Sequence, residues 1–344
     1  MREEKVAIIT GTNSNLGLNI AYRLLHEIDP STNLTLIVTS RTLPRVKDVI
    51  TDIKNYSRKH VPERTGWLEF DYLLVDFTDN VSILSAGEEL RKKFSHIDYL
   101  FLNAAQGCYD GIDWIQAFKC ICINLLDAVT FPNYKIQRVG VKSRDDMGLV
   151  FQGNVFGPYY FVHRIKSLLS RGGKIIWISS IMSDPKYLSF NDLQLLLSPE
   201  PYEGSKRLVD LLHMGTYKKL KSKNDIISYI VHPGIFSSYS FYQYLNFLTY
   251  YGMLILFYIA RFLGSVIHNI SGYTAANAPV TVALNDDLSQ DVKHASHCDR
   301  YGNEFLGAAE LDRTGAQDVA AYMDDLVIKW DEILKDQITS ARSI

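Results

Sequence analysis

The sequence lacks the features that mark several large classes of protein. Its 344 residues carry 36 Lys and Arg against 38 Asp and Glu, and a formal net charge of -2 gives no reason to expect a nucleic-acid partner. It opens on the apolar strand pattern of residues 6–9, without a charged segment that precedes a long apolar run and a cleavage site, so we predict no secretory signal. It also lacks internal repeats, low-complexity tracts and a clear domain break.

Cysteine is scarce and poorly placed for a structural role. Of the four cysteines, Cys108, Cys120 and Cys122 cluster, and no histidine lies near them at the spacing of a zinc site. Cys298 stands apart. We therefore interpret all of them as reduced thiols in a protein that faces the cytosol, and we predict no metal site.

Apolar runs rich in Val and Ile alternate with longer stretches of helical periodicity. This alternation is typical of crossover units around a mainly parallel sheet. We predict an α/β fold with a doubly wound, Rossmann-type sheet, as one domain over residues 1–344 with its core at about 5–240. The predicted strands cover residues 5–10, 34–39, 70–75, 98–103, 173–179 and 227–232, and the predicted helices 18–28, 43–56, 81–94, 155–169 and 205–220.

Several segments look like additions to this plan. Residues 108–148 hold aromatic side chains that either line a pocket or form a small local core. Residues 184–200, punctuated by prolines, form either a wall over a substrate pocket or a surface elaboration. A lipophilic segment covers about 236–270, and an amphipathic helix over 316–338 has an apolar stripe that either docks on the core or forms an oligomer seam.

The first predicted strand runs into a turn with two glycines, TGTNSNLG at 10–17, and then into a helix. Such a turn presents backbone N–H groups to a pyrophosphate at a helix N-terminus. Gly11 permits the turn and Gly17 permits close packing of helix on strand, although an ordinary strand-to-helix turn also fits the pattern. The residues predicted to bind a dinucleotide here are Gly11, Thr12, Asn13, Asn15, Leu16 and Gly17.

Three more residues follow predicted strands, where a dinucleotide groove lies. Arg41 stands after the second strand, where an NAD site would have an acid, and a cation suits the 2′-phosphate of NADPH. We therefore favour NADPH over NADH as the cofactor. Asp76 follows the third strand and can accept from an adenine amino group, and Asn103 ends the fourth before two small alanines. Each alone is also compatible with generic strand-end chemistry.

Tyr202 and Lys206 lie one helical turn apart. A nearby cation favours the phenolate, which would bring the pKa of the phenol toward the range of a general acid. A chain with 21 tyrosines can contain this pair by chance, but Ser180 lies upstream of the pair and the glycine turn at Gly11 opens the chain. Ser179 is the rival serine, and strand alternation points the two side chains to opposite sides.

Short motifs along the chain occur in an order that a known family shares. They are TGTNSNLG at 10–17, Asp76, NAA at 103–105, Asn154, Ser180, YEGSK at 202–206 and PG at 233–234. Through them the chain resembles the short-chain dehydrogenase/reductase family over roughly residues 5–240. That family normally has a third glycine where this chain has Asn15, and asparagine tolerates positive φ better than most residues.

The resemblance implies a role for each matching residue. Tyr202 would protonate a ketone oxygen that Ser180 also binds. Lys206 would lower the phenol pKa and hold the nicotinamide ribose, and Asn154 would position a water that links Lys206 to solvent. Besides the turn, the implied cofactor contacts include Lys206, Pro233 and Ser238.

Longer stretches such as TGTNSNLGLNI, NVFGPYYF and WISSIMSDPKYLS are similar to the fungal 3-keto-steroid reductases of ergosterol biosynthesis. This resemblance implies NADPH-dependent reduction of a 4-methyl-3-ketosterol to the 3β-hydroxysterol, at the cytosolic face of the endoplasmic reticulum membrane or at lipid droplets. It implies as partners the C-4 methyl oxidase, the decarboxylase, a membrane scaffold protein and oxidosqualene cyclase. The alternatives are a reductase of another lipophilic ketone, such as a retinoid, acyl chain or hydroxysteroid, and a scaffold with idle catalysis.

Residues 239–260 contain no charged side chain and are crowded with Tyr, Phe and Leu. A transmembrane helix needs about 20 predominantly apolar residues, and polar residues such as Gln243 and Asn246 interrupt the first half. Tyrosine suits a boundary between water and lipid, where the ring is buried and the hydroxyl stays wet. We predict a lipophilic lid over the substrate that also touches the membrane; a spanning segment and an ordinary buried helix pair are the alternatives.

Overall fold

The fold is an eight-stranded sheet with helices on both faces, seen in a computed structural model that describes residues 3–238 and 243–340. Tyr239, the first residue of the uncharged stretch, lies outside the described residues. The strands are β1 Glu4–Ile9, β2 Asn33–Ser40, β3 Leu68–Leu74, β4 Tyr99–Leu102, β5 Tyr109–Ile112, β6 Lys135–Gln137, β7 Lys174–Ile178, β8 Ile227–His232, β9 Ile235–Phe236, β10 His268–Ile270, β11 Val292–Cys298 and β12 Glu304–Glu310. The α-helices are α1 Asn15–Glu27, α2 Leu43–His60, α3 Asn80–Lys93, α4 Trp114–Ile123, α5 Leu125–Thr130, α6 Leu149–Phe151, α7 Gly157–Leu169, α8 Pro201–Asn224, α9 Phe247–Phe262, α10 Gly272–Ala275, α11 Asn277–Leu284, α12 Ala316–Ile333 and α13 Lys335–Ser340, with a π-helical segment at Gln152–Phe156 and a 3-10 turn at Pro185–Tyr187.

The main sheet has the order β12-β11-β8-β7-β4-β1-β2-β3, and only β12 runs antiparallel to its neighbour. The chain order reverses at β1, which pairs with β2 on one side and β4 on the other. In a doubly wound sheet, the carboxyl ends of the strands at such a reversal open the crevice that binds ligands. The six predicted strands and the doubly wound class are confirmed.

The sheet separates two apolar cores because alternate side chains of each strand point to opposite faces. Ile8 and Leu100 belong to the core under α3, α7, α8 and α12, whereas Ile9 and Phe101 belong to the core under α1, α2 and α11. Every residue of β4 and β7 is buried, as continuous apolar strands in the middle of a parallel sheet should be. The central strands are therefore held on both faces.

Two strands of the main sheet were missed by the prediction. β11 contains Lys293, His294 and Ser296, so it lacks the Val and Ile run that marked the other strands. Its polar side chains are buried nevertheless, because the strand pairs in parallel with β8 inside the sheet. The sheet therefore continues beyond residue 240, the predicted boundary of the core, to the end of β12.

The C-terminal amphipathic helix α12 docks on the core. Val319 and Met323 are 0% exposed and pack in the core beneath α8. The hydroxyl of Tyr159 on α7 donates to Asp324 at 2.6 Å, which ties the polar edge of the helix to the same surface. Ile333, the last residue of the predicted stripe, is 54% exposed and lies outside the packed face.

Residues 184–200 do not cover a pocket, so the predicted wall is wrong. Leu195 is buried in the core, and a Cβ added to Gly204 of α8 would lie 2.6 Å from its Cδ2. Gln194 donates to the hydroxyl of Tyr322 on α12 at 2.9 Å. The segment is thus packed behind α8, and none of it borders the large cavity at the carboxyl ends of the strands. The prolines predicted an excursion of the chain but not its direction.

Helix α9 covers most of the described part of the lipophilic segment. Phe257 and Ala260 pack with Val129 and Ile270 in a small separate core, while other apolar side chains of the helix are exposed. Within residues 3–238 and 243–340, no helix combines the length and apolar character that crossing a membrane requires.

Candidate active site

The glycine turn after β1 has a shape that side chains would obstruct. Gly11 has φ +63°, and a Cβ there would lie 3.0 Å from the Cα of Ala104. A Cβ on Gly17 would lie 2.4 Å from the carbonyl oxygen of Gly11, well inside van der Waals contact. Both glycines thus keep backbone close to backbone, and they leave the N-terminus of α1 open for an anion.

Thr12 borders neither cavity among the described residues, and the positive φ considered for Asn15 is not found, although Asn15 does line the large cavity. Thr12 is 0% exposed, and its hydroxyl donates to the carbonyl of Ile9 and accepts from the amide of Thr39. It therefore joins β1 to β2 instead of facing a cavity. Asn15 begins α1 with helical backbone, so positive φ is not required there. Its side chain donates to the carbonyl of Ser237 and thereby links the turn to the segment after β8.

Asn103, after β4, holds the glycine turn from below. Its side-chain nitrogen donates to the carbonyl of Thr10 at 2.8 Å and lies 3.1 Å from the hydroxyl oxygen of Ser14. Its backbone amide donates to the Thr10 hydroxyl at 2.8 Å. Asn103 borders the cavity, but its polar atoms are used to fix the turn.

A small cavity of about 190 Å³ lies beyond the turn and has two arginines in its wall. They are Arg41, which the sequence indicated, and Arg45, which it did not. Both are exposed, and neither forms an ion pair within the part of the chain that the structure describes. Asp76 also borders this cavity and accepts from the hydroxyl of Thr78 at 2.7 Å.

A large cavity of about 1420 Å³ connects the turn with the predicted catalytic residues. Asn13, Asn15, Leu16 and Arg41 line one end. Predicted site residues from the later half of the chain line its middle, namely Ser180, Tyr202, Lys206, Pro233 and Ser238.

The two adjacent serines after β7 have different surroundings. Ser179 is 3% exposed, and its hydroxyl donates to the buried carboxylate of Asp210 at 2.5 Å. Ser180 borders the cavity, and its hydroxyl accepts from the backbone amide of Met182 at 3.0 Å. The geometry therefore offers Ser180, and not Ser179, to a molecule in the cavity.

Tyr202 lies in the first turn of α8, with the Lys206 ammonium 5.6 Å from the centre of its ring. Lys206 donates to the carbonyl of Ile178 at 2.8 Å. Burial raises the pKa of Tyr202 well above its usual value, and Glu203 raises it further. Burial also lowers the pKa of Lys206 to about 8. The expectation that Lys206 lowers the phenol pKa is therefore wrong for this structure, because desolvation disfavours both charged forms.

Asn154 lies inside the π-helical segment Gln152–Phe156 and is 4% exposed. Its side chain donates to the carbonyl of Gln106 at 2.8 Å and to the hydroxyl of Ser205 at 3.0 Å, and it accepts from the amide of Gln106 at 2.8 Å. The structure thus brings Asn154 to Gln106 and to Ser205, which directly precedes Lys206 on α8. The Nε2 of Gln106 is buried at the cavity edge without a hydrogen bond to any described residue.

Gln137, from β6 of the 108–148 insert, holds the start of α8 and was missed by the sequence reasoning. Its side-chain oxygen accepts from the amide of Tyr202 at 3.0 Å, and its nitrogen donates to the carboxylate of Glu203 at 2.5 Å. Glu203 is 3% exposed, so this contact satisfies a buried carboxylate. No local motif marks a glutamine that acts across 65 residues of sequence.

The far wall of the cavity is apolar. It is built by α4 of the insert and by the inner side of α9, while β5 and β6 form an antiparallel pair beside them. Of the two alternatives for the 108–148 insert, a pocket wall and a small local core, the structure shows the pocket wall. The apolar residues that these two helices contribute include Trp114, Ala117, Ile121, Met253, Leu256 and Phe257.

Comparison with known proteins identifies relatives of the whole chain. Residues 5–243 match the family described as short chain dehydrogenase. The 3-keto-steroid reductase of Debaryomyces hansenii is 64% identical over 338 residues, which cover 98% of this chain and 97% of that protein. The 3-keto-steroid reductase ERG27 of Candida albicans is 62% identical over 342 residues and 99% of both chains. The 3-keto-steroid reductase of Yarrowia lipolytica is 42% identical over 98% of both chains.

Solved structures share the fold at low sequence identity. YwfH, an NADPH dependent reductase involved in bacilysin biosynthesis, has a TM-score of 0.58 at 14% identity over 88% of this chain and 99% of its own. The NADPH bound carbonyl reductase from chicken fatty liver has a TM-score of 0.52 at 16% identity over 89% of this chain and 99% of its own. The chain therefore belongs to the short-chain dehydrogenase family and, within it, to the group of yeast 3-keto-steroid reductases.

Proposed function

We propose that this protein reduces the 3-ketone of a 4-methylsterone to a 3β-hydroxysterol, with NADPH as hydride donor, in ergosterol biosynthesis. One observation carries the proposal: a single cavity of about 1420 Å³ joins the glycine turn, the Ser180, Tyr202 and Lys206 side chains, and an apolar wall. The volume exceeds that of many small-molecule sites, as a rigid polycyclic substrate beside a dinucleotide requires. The names of the close relatives indicate the same activity.

The polar residues divide the chemistry between them. Tyr202 donates a proton to the ketone oxygen, and its raised pKa keeps the phenol protonated at neutral pH. Ser180 donates a hydrogen bond to the same oxygen. Lys206, with a pKa of about 8, carries its charge below that pH and faces the phenol ring. Asn154 acts indirectly, because its hydrogen bonds hold Gln106 and Ser205 in place beside the catalytic residues.

The residues present fit NADPH. The glycines leave a cradle that a Cβ would fill, the N-terminus of α1 faces the cavity, and two exposed arginines stand at its far end. When bound, NADPH supplies the hydride. Gly11, Asn13 and Leu16 would bind its phosphates, and Arg41 with Arg45 would hold the 2′-phosphate.

Arg41→Ala and Arg45→Ala are each expected to weaken NADPH binding by about 10- to 100-fold, the value of a charge-assisted hydrogen bond of about 1.5–3 kcal/mol. NADH affinity should change little, because NADH has no 2′-phosphate. Arg58→Ala is the matched control, because Arg58 lies in the last turn of α2, the helix that holds Arg45, and borders neither cavity. Titration of each variant with both nucleotides checks this, and tighter binding of NADH by the wild type or an unchanged NADPH affinity in both variants would contradict it.

The activity is tested by incubating the purified protein with NADPH and a 4-methyl-3-ketosterol and identifying the product. The expected product is the 3β-alcohol, with NADPH consumed in equal amount. A retinal, a long-chain acyl ketone and a 17-ketosteroid serve as competing substrates in the same assay. Rapid reduction of one of these without any sterol product would reassign the substrate and retain the reaction class.

We also propose that the protein binds the cytosolic face of the endoplasmic reticulum membrane, or lipid droplets, through α4 and α9. Phe247, Leu248 and Phe262 of α9 are 79%, 79% and 72% exposed, and Ile115 and Phe118 of α4 are 73% and 69% exposed. Exposed apolar patches of this kind mark interaction surfaces. Other side chains of the same helices line the cavity, so a sterol leaving the bilayer would reach the site without crossing water. The C-4 methyl oxidase, the decarboxylase, a scaffold protein and oxidosqualene cyclase would be neighbours there.

Replacing Phe247, Leu248 and Phe262 together by serine is expected to abolish cosedimentation with zwitterionic phospholipid vesicles. Burying one such side chain contributes about 1.5 kcal/mol or more, or roughly tenfold in affinity. The control replaces Ile328 and Ile333 of α12 by serine, which are 68% and 54% exposed on a helix that packs on α7 and α8. Equal sedimentation of both variants with the wild type would refute the membrane surface.

A further inference from the structure

A buried ion pair lies directly behind the site and has no part in the roles assigned so far. Lys293 of β11 and Asp210 of α8 are 6% and 1% exposed, and the Lys293 nitrogen donates to the Asp210 carboxylate at 2.5 Å. Ser183 bridges the pair, because its hydroxyl lies 2.5 Å from the Lys293 nitrogen and 2.6 Å from the carboxylate. A pair this deep needs such additional hydrogen bonds to offset desolvation.

The pair holds the backbone on which Ser180 is mounted. Lys293 donates to the carbonyl oxygen of Ser180 at 3.1 Å, and Asp210 accepts from the hydroxyl of Ser179, the preceding residue. Ser180 follows the end of β7, and its carbonyl oxygen also accepts from the hydroxyl of Ser183 at 3.1 Å, the residue that bridges the pair. The Lys293–Asp210 pair and its bridging serine therefore hold the Ser180 backbone in position.

The same two charges face Lys206. Asp210 lies one helical turn after Lys206 on α8, where its carboxylate favours the ammonium, while Lys293 disfavours it. The other titratable groups facing the pair are His213 of α8 and His232 of β8. Burial lowers the pKa of His213 to about 4 and that of His232 to about 3, so both rings are neutral near pH 7. Burial has the largest effect on the pKa of Lys206, and Asp210 and Lys293 are the two charges that act on it in opposite directions.

We propose that Lys293 and Asp210 are positioning residues of the reduction, which fix the Ser180 backbone and set the opposing charges that face Lys206. The catalytic part of this inference rests on the proposed function. The electrostatic part concerns the protein alone and can be measured without substrate.

The test compares Asp210→Asn with Lys293→Met, which are close in shape to the native residues. In Asp210→Asn, Lys206 loses the nearby anion, so its pKa should fall. The alkaline limb of the pH profile, above which kcat/KM declines, should then move down by about one pH unit. In Lys293→Met, Lys206 loses the nearby cation, and this limb should move up by a similar amount. Lys293→Met should also lower kcat by about tenfold or more, because Ser180 loses its hold. Lys293→Arg should restore the wild-type limb.

Lys174→Met is the matched control. Lys174 is likewise a buried strand lysine, but it lies at the opposite end of β7, where it donates to the carbonyls of Ala283 and Asn285 at 2.7 and 3.1 Å. This variant should lose stability and keep its pH profile. If Asp210→Asn and Lys293→Met shift the limb in the same direction, or leave it where Lys174→Met leaves it, the inference fails.

A measurement on the protein without substrate separates this inference from the proposed function. Lys206 borders the cavity, so its acetylation by acetic anhydride can be followed across pH by mass spectrometry. Opposite shifts of the acetylation midpoint in a protein that reduces no ketosteroid would retain the charge-setting role and reject the proposed function. If the single variants do not fold, Asp210→Asn/Lys293→Met removes both charges, and a wild-type kcat in that double variant would overturn the positioning role.

Discussion

Tyr202→Phe is expected to lower kcat for ketosterol reduction by about 10²- to 10⁴-fold, the range that a positioned general acid contributes. The substitution removes only the hydroxyl, so the ring keeps its place beside the Lys206 ammonium, 5.6 Å from its centre. NADPH affinity should remain within about twofold, because the residues that would bind its phosphates lie at the other end of the cavity. Product formation and NADPH titration measure the two effects separately.

Tyr109→Phe is the matched control for this substitution. The Tyr109 ring lies 6.4 Å from the Tyr202 ring and borders the same cavity, so it offers a second phenol to the substrate. We expect a change in KM for the sterol and nearly normal kcat. If Tyr202→Phe retained turnover while Tyr109→Phe lost it, the proton would come from Tyr109 and the assignment of Tyr202 would be wrong.

Much of the fold could be predicted because its central strands carry an unmistakable apolar pattern. β4 and β7 are buried on both faces, so they need apolar residues at successive positions, and such continuous runs can be recognised in the sequence. β11 carries no such run. Its Lys293 is buried because Asp210 and the Ser180 carbonyl, far away in the sequence, supply hydrogen bonds. A strand stabilised by partners of this kind leaves no local pattern.

The candidate site also has features that could be predicted from the sequence and features that could not. Gly11, Tyr202 and Lys206 could be found because their chemistry depends on short spacing along the chain. The direction of the pKa shifts could not, since neighbouring positions indicated a lowered phenol pKa and burial produces the opposite. Spacing reports which charges are near one another, whereas desolvation depends on every element that closes over the group.

The 108–148 insert is a comparable case, because Gln137 joins it to the start of α8 by two hydrogen bonds that no local pattern marks. Gln137 accepts from the amide of Tyr202 and donates to the buried carboxylate of Glu203. It therefore fixes the first turn of α8, which has no side-chain cap of its own. Without it, the Tyr202 amide and one carboxylate oxygen of Glu203 each lose a hydrogen bond, at about 1–3 kcal/mol for each group left unsatisfied.

Gln137→Leu is expected to lower kcat by about 100-fold, since a shift of about 1 Å in a reacting group has an effect of that size. NADPH affinity should be unchanged, whereas the rate at saturating sterol should fall, because the phenol and not the cofactor loses its support. Gln116→Leu is the control within the same insert: the side-chain nitrogen of that glutamine lies 3.5 Å from the sulfur of Cys120, one turn along α4. Kinetics and thermal unfolding of both variants decide the matter. If Gln137→Leu loses as much stability as Gln116→Leu and keeps a normal kcat, the insert only forms a wall of the pocket. A loss of kcat in Gln137→Leu alone would show that the insert also positions the tyrosine.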